Sequence, residues 1–214
     1  MKKIRISLTI IAIIFMATGS YAQQGVTKVF VNYAAGFPLS SFKDFVSDAS
    51  YRGVDLRIMY GINDKVSIGF GTGFQDFYQK YPRQVYKLPD GSDISAVISN
   101  SVQTVPLLLR AQYNFLPMNK IQPFIGAGVG GDMVLYRQYL GEFADSRNKF
   151  AFQAQPEIGV FVPFRKSGSA GISVGASYNI IPFKYGDMSN LNSFGVTVGV
   201  GFPTRRLMPM CSSY

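Results

Sequence analysis

From Phe194 to Phe202 every second residue is bulky and apolar: Phe194, Val196, Val198, Val200 and Phe202. Gly195, Thr197, Gly199 and Gly201 stand between them. A two-residue period predicts a β-strand with two unlike faces. Neither face carries a charge. A soluble sheet would bury the bulky face and place charged residues on the other. An apolar face opposite a small, weakly polar one instead predicts a strand with lipid outside and a narrow interior.

Seven earlier segments repeat the pattern. A first strand over 28–37 sets Val29, Val31, Tyr33, Ala35 and Phe37 against Phe30, Asn32, Ala34 and Gly36. A polar loop follows, with a short helix predicted over 41–46. The second strand, 51–60, sets Val54, Leu56, Ile58 and Tyr60 against Gly53, Asp55, Arg57 and Met59. After a tight turn at 62–65, Val66, Ile68, Phe70, Thr72 and Phe74 face outward. A long connection, 78–100, contains the turn signature Pro89-Asp90-Gly91-Ser92. The fourth strand, 104–115, points Leu107, Leu109, Ala111, Tyr113 and Phe115 outward and Arg110, Gln112 and Asn114 inward. The fifth sets Ile125, Ala127, Val129, Met133 and Leu135 against Gly126, Gly128, Gly130 and Asp132. A medium loop at 141–148 leads to a sixth strand, 150–164, with Gln153, Gln155, Glu157 and Gly159 inward. The seventh spans 172–180, and a loop at 182–192 returns the chain to the eighth.

Connections on this reading alternate long and short, as extracellular loops and periplasmic turns do in outer-membrane barrels. Strands two, four, six and eight end outward in Tyr60, Phe115, Phe164 and Phe202, which forms one rim of an aromatic girdle. The expected fold is an all-β, eight-stranded antiparallel up-and-down transmembrane β-barrel. Closure is required, because an open sheet edge in lipid strands unpaired N–H and C=O groups. A soluble lipocalin-type barrel would need bulky residues inside and polar ones outside, the reverse of strands six to eight.

The N-terminus changes the compartment. Lys2, Lys3 and Arg5 precede the largely apolar run 6–16, and Ser20-Tyr21-Ala22 supplies small residues for cleavage. Residues 1–22 are thus expected to be a cleaved signal peptide, 23–203 the barrel and 204–214 a short periplasmic tail. The only cysteine, Cys211, lies in that tail and cannot form an internal disulfide. Position 23 is Gln, so no lipoprotein anchor is implied.

Composition narrows the chemistry. The 214 residues include 22 Gly, 18 Phe and 13 Tyr but no His and no Trp, with a net charge of +9. Without histidine a Ser-His-carboxylate triad cannot be assembled, which leaves a Ser-Lys dyad as the open alternative in strands where lysine is scarce. Histidine-containing zinc sites are excluded, and one cysteine cannot build a thiolate site. The alternating glycines of 126–131 lie inside a strand and not between a strand and a helix, which argues against a phosphate loop. The expectation is a non-enzyme with no cofactor and no metal.

Charged residues on the inward faces are the most informative set: Asp55, Arg57, Arg110, Asp132 and Glu157. Eight strands leave only enough room for side chains to fill the lumen. Arg57 and Arg110 are therefore expected to be neutralised by Asp55 and Glu157, as a plug; the alternative is a gated path for small solutes. The 78–100 connection carries Tyr78, Lys80, Tyr81, Arg83, Tyr86 and Lys87. It reads as a solvated extension of its strands, or as a contact surface for lipopolysaccharide phosphates, glycans or an envelope protein. Lys65, Lys120, Arg165, Lys166, Arg205 and Arg206 against Asp64 make the periplasmic end basic and suited to anionic headgroups or cell-wall polymer. Nucleic acid is not expected as a partner in this compartment.

The segment TVPLLLRAQYNF, Thr104 to Phe115, together with the Pro123–Gly130 strand after it, resembles the small outer-membrane β-barrel (porin-family) proteins of Bacteroidetes-type bacteria. The leader ending in Ser20-Tyr21-Ala22-Gln23-Gln24 is similar to theirs. The resemblance covers most of the mature chain and implies an outer-membrane barrel of a Gram-negative cell, with lipid and lipopolysaccharide as surroundings. It implies little about activity. Many such barrels finish on an aromatic, whereas here 203–214 continue past Phe202. Three roles follow as expectations: a structural or interaction barrel acting through its surface loops, a narrow pore, or an accessory barrel of a secretion machine.

Overall fold

A computed structural model of the chain describes residues 26–87, 93–140, 143–165, 170–185 and 188–204. The leader 1–22, Cys211 and nearly all of the 204–214 tail lie outside the described residues. In chain order the elements are β1 Thr27–Pro38, α1 Ser41–Phe45, β2 Ser50–Gly61, β3 Val66–Lys80, β4 Gln84–Lys87, β5 Asp93–Ala96 and β6 Ile98–Asn114. They continue as β7 Gln122–Leu140, β8 Phe143–Pro163, β9 Gly171–Asn179, β10 Pro182–Tyr185, β11 Met188–Asn190 and β12 Ser193–Thr204. Eight strands close in the order β1-β12-β9-β8-β7-β6-β3-β2, all antiparallel; β4–β5 and β10–β11 are separate two-stranded hairpins. Closure is made by β1 and β12, paired from Thr27↔Thr204 to Pro38↔Ser193.

The two faces separate as the two-residue period requires. Val31, Ile58, Phe70, Leu109, Val129, Ile158, Val174 and Val198 stand exposed on the outside, while Asn32, Arg57, Arg110, Glu157, Ser177 and Thr197 are buried within. Such an exterior is stable only against lipid. One irregularity interrupts β2, where Tyr51 and Arg52 together oppose Ala35 as a β-bulge.

The two ends differ. Short turns at 62–65 and 115–121, and the connection from β8 to β9, share one end with the paired Thr27 and Thr204. There Tyr60, Phe115, Phe164 and Phe202 point outward and are exposed. At the opposite end the expected loops are largely sheet. The 78–100 connection continues the β3–β6 ladder to Lys80↔Ser99 and is capped by β4–β5. The 141–148 loop is replaced by β7–β8 pairing to Leu140↔Phe143, so only 141–142 join the strands. The 182–192 loop holds the β10–β11 hairpin. The long–short alternation thus fails at β7–β8, because extended strands carry the chain length that a loop was expected to carry.

β3, β6, β7 and β8 therefore rise as a wall above the rest. β9 meets β8 only from Glu157↔Ser177 down to Pro163↔Gly171, besides a bridge between Ala154 and Ile180. The inner face of that wall is apolar. Phe77, Val102, Val134, Tyr136 and Ala151 pack there with Phe42 and Val46 at α1 and with Ile181, Phe183 and Leu191 around the β10–β11 hairpin. Phe42 meets Phe77 edge to face at 4.8 Å between centroids. α1 has no side-chain cap and is five residues long, too short to persist without tertiary packing. This burial holds it in place.

Candidate functional site

Inward parity on three strands brings four charges together at mid-height. Arg57 Nε lies 2.5 Å from Asp55 Oδ2, and Arg57 Nη1 lies 2.9 Å from Glu157 Oε1. Arg110 Nη2 reaches Asp55 Oδ1 at 2.8 Å, and its Nη1 reaches Glu157 Oε2 at 2.8 Å. Each arginine bridges both acids, so the four side chains form a closed ring with no net charge. Neutral groups complete it. Asn32 Nδ2 donates to Asp55 Oδ2 at 2.9 Å, and Arg110 Nη2 donates to Gln155 Oε1 at 2.6 Å. Arg57 Nη2 approaches Thr197 Oγ1 at 3.4 Å.

Glycine makes the room. A Cβ on Gly71 would land on Arg110 Nε, and one on Gly126 would stand 2.8 Å from Glu157 Oε1. Asp132, the fifth inward charge, does not join the ring. It is 1% exposed and lies opposite Pro106; among the described residues no cation is within ion-pair distance, and neither of its carboxylate oxygens has a hydrogen-bond partner.

Other layers fill the lumen above and below. Toward the turn end Phe30, Met59 and Phe161 form an apolar layer. Phe30 meets Phe161 edge to face at 5.8 Å, and Lys28 Nζ sits 4.9 Å over the Phe161 ring. Just above the ring lies a hollow of about 60 Å³ bordered by Gln75, Thr104, Gln153, Gln155, Ser177 and Asn179. Over it sits the apolar cluster of the wall.

The residues singled out between 78 and 87 separate into different environments. Tyr78 and Lys80 face outward from β3. Arg83 is exposed beyond the strand, while the Tyr81 hydroxyl donates to the Phe45 carbonyl at 3.1 Å and helps hold α1. Tyr86 and Lys87 pair along β4 with Ile94 and Asp93; their side chains lie outside those described. Register adds four residues that the sequence pattern does not single out, Ser99, Ser101, Arg137 and Tyr139. Tyr78, Ser101 and Arg137 form one cross-strand row, and Lys80, Ser99 and Tyr139 form the next. The result is a small patch with two tyrosines and two cations at its corners and serines on its floor. The nearby acid, Asp76, is engaged by Ser101 Oγ at 3.2 Å and Arg52 Nη1 at 3.7 Å.

A signal for this division was present in the chain. Below about Asp132 the outward positions are apolar; above it Val134 and Tyr136 are inward while Arg137 and Tyr139 are outward. The pattern inverts where a strand leaves lipid and enters water, with no break in its period.

A closed eight-stranded barrel with an apolar exterior and a polar interior is the architecture of small outer-membrane barrels. Residues 8–202 match the family described as outer membrane protein beta-barrel domain, and the chain belongs to that family. Among solved structures it is similar to Neisserial surface protein A, with 17% identity, a TM-score of 0.56 and coverage of 83% of this chain and 97% of that one. It is also similar to Ail, the attachment invasion locus protein of Yersinia pestis, at 10% identity and a TM-score of 0.51, covering 85% of this chain and 99% of that one. No curated protein matches the sequence.

Proposed function

We propose that this is a sealed, non-catalytic outer-membrane barrel that acts by contact, through the patch of Tyr78, Lys80, Arg137 and Tyr139 around Ser99 and Ser101. The main support is that these residues stand in two adjacent outward cross-strand rows, above the level at which the outward face stops being apolar. Tyrosine rings offer faces to sugars, and Lys80 and Arg137 offer charge to phosphates. Together they suit the phosphorylated sugars of lipopolysaccharide, which surrounds a barrel at this height. Ail has been crystallised with the heparin analogue sucrose octasulfate; that is a property of Ail, and its likeness to this chain extends to the fold.

Three filled layers in the lumen support contact over conduction. Asp55, Arg57, Arg110 and Glu157 neutralise one another at mid-height, and the chain has no histidine to serve as a base at neutral pH. Tyr60, Phe115, Phe164 and Phe202 act on this reading as the periplasmic aromatic girdle that fixes the barrel's depth.

Titration of lipopolysaccharide against the barrel in nanodiscs tests the assignment. Lys80→Gln with Arg137→Gln is expected to weaken binding, and Lys43→Gln on α1 to leave it unchanged. Equal affinity in all three proteins contradicts the patch. Loss of protein export on deleting the gene, with lipopolysaccharide binding intact, would favour a secretion accessory instead.

A further inference from the structure

The lipid-facing wall has a groove near its periplasmic end. Val129, Leu109, Phe70 and Ile58 form one outward cross-strand row. The next row toward the turns is Ala127, Ala111, Ile68 and Tyr60, and below it come Ile125, Tyr113 and Val66. Two alanines side by side between rows of large residues leave a depression. It measures about 640 Å³ and is lined by Ile58, Tyr60, Ile68, Phe70, Leu109 and Val129 over a floor of Ala111 and Ala127. The walls are apolar and the position is within the membrane, so a hydrocarbon chain can occupy it without desolvating a polar group.

What lies beneath names the rest of the occupant. The four strands that form the groove, β2, β3, β6 and β7, end in two adjacent turns, 62–65 and 115–121, joined by the Asn114 N–H donating to the Lys65 carbonyl at 2.7 Å. Lys65 and Lys120 are the cations of these turns, and both are exposed; Asp64, the acid of the first turn, is buried. Ile62, Leu116, Met118 and Ile121 are exposed in the same turns. Turns with apolar side chains beside lysines belong in the headgroup region, with the ammonium groups at the phosphate level.

We propose that this groove binds one anionic phospholipid of the periplasmic leaflet, an acyl chain lying over Ala111 and Ala127 and the headgroup phosphate held by Lys65 and Lys120. The site is independent of the lipopolysaccharide patch, which lies at the other end of the wall and in the other leaflet.

The chain contains no tryptophan, so one introduced tryptophan reports its own surroundings. Leu107→Trp stands beside the upper edge of the groove, and Val198→Trp stands on β12, across the barrel. Each is reconstituted in phosphatidylcholine vesicles containing either brominated phosphatidylglycerol or brominated phosphatidylcholine, and quenching is measured. At Leu107→Trp the anionic lipid is expected to be preferred about fivefold for each lysine engaged, about thirtyfold for both. No such preference is expected at Val198→Trp. Lys65→Gln with Lys120→Gln should abolish the preference. Ala111→Leu with Ala127→Leu should reduce quenching by both lipids while the lysines remain, and unheated gel mobility confirms that each variant is a folded barrel. Equal preference at the two reporters overturns the site, and so does a preference that survives loss of both lysines. A doubled mass in native spectrometry that is lost on filling the groove would assign it to a second barrel instead.

Discussion

Arg57 and Glu157, a hundred positions apart in sequence, meet across the lumen with Nη1 and Oε1 2.9 Å apart. That contact links the β1–β2–β3 side of the barrel to β8, and Arg110 from β6 repeats it through the other carboxylate oxygen. Neither acid can be left with one cation at little cost. Arg110→Met is expected to destabilise the barrel by about 3–5 kcal/mol, because the carboxylates it serves lose half their compensation in a buried place. Urea unfolding in detergent micelles measures this. Adding Glu157→Gln should restore part of the loss, since Arg57 and Asp55 then remain as a matched pair; strict additivity of the two single changes would contradict the ring.

Gly71 and Gly126 are needed for the space they leave. Gly71→Ala places a methyl group on Arg110 Nε and should cost about 1–3 kcal/mol by displacing the guanidinium. Gly128→Ala is the comparison. Its nearest neighbour, Leu108 Cδ1, is 3.2 Å away at the tip of a flexible side chain. The same unfolding assay should rank Gly128→Ala as the milder change; the opposite order would remove the ring as the reason for Gly71.

Lipid exposure is tested by depth. Val198, 47% exposed in the middle of β12, should tolerate arginine poorly, at a cost of about 2–4 kcal/mol near the bilayer midplane. Tyr139, on the part of the wall placed in water, should accept arginine at about 0–1 kcal/mol. Refolding into liposomes distinguishes the two. Similar costs at both positions would mean that the wall is not raised above the membrane.

Phe42 and Phe77 hold the outer cover together. Phe42→Ala should remove most of the packing under α1 and open residues 39–49 to protease, while the barrel below keeps its heat-dependent gel mobility. Collapse of the whole barrel on this substitution would show that the upper cluster is not a separate layer.

Much of this was legible in the chain. A strict two-residue period from Phe194 to Phe202 gives strand, face and environment together, since a soluble sheet with this alternation carries charge on its solvent face. The same parity pointed Asp55, Arg57, Arg110 and Glu157 inward. Which of them would touch was less accessible, because contacts across a barrel depend on stagger between strands distant in sequence, such as β2 and β8. Asp132 shows this: it has the same parity as Arg110, yet it sits apart from the ring, opposite Pro106. Asn32, Gln155 and Thr197 also point inward, but neutral residues carry no mark that distinguishes a bonded partner from a filler. Above the membrane the pattern is less legible: 141–148 reads as a loop and 78–100 as either an extension of its strands or a contact surface, because apolar-outward alternation ends near Leu135. The period itself continues there with its faces exchanged, as Val134, Tyr136, Arg137 and Tyr139 show.

Planar-bilayer recording tests the sealed lumen most directly. No discrete conductance steps are expected from the purified barrel, and none from Arg110→Ala, because the layer of Phe30, Met59 and Phe161 remains below the ring. Reproducible steps in the unaltered protein whose size or ion selectivity changes with Arg110→Ala would contradict it and make the charged ring part of a pore.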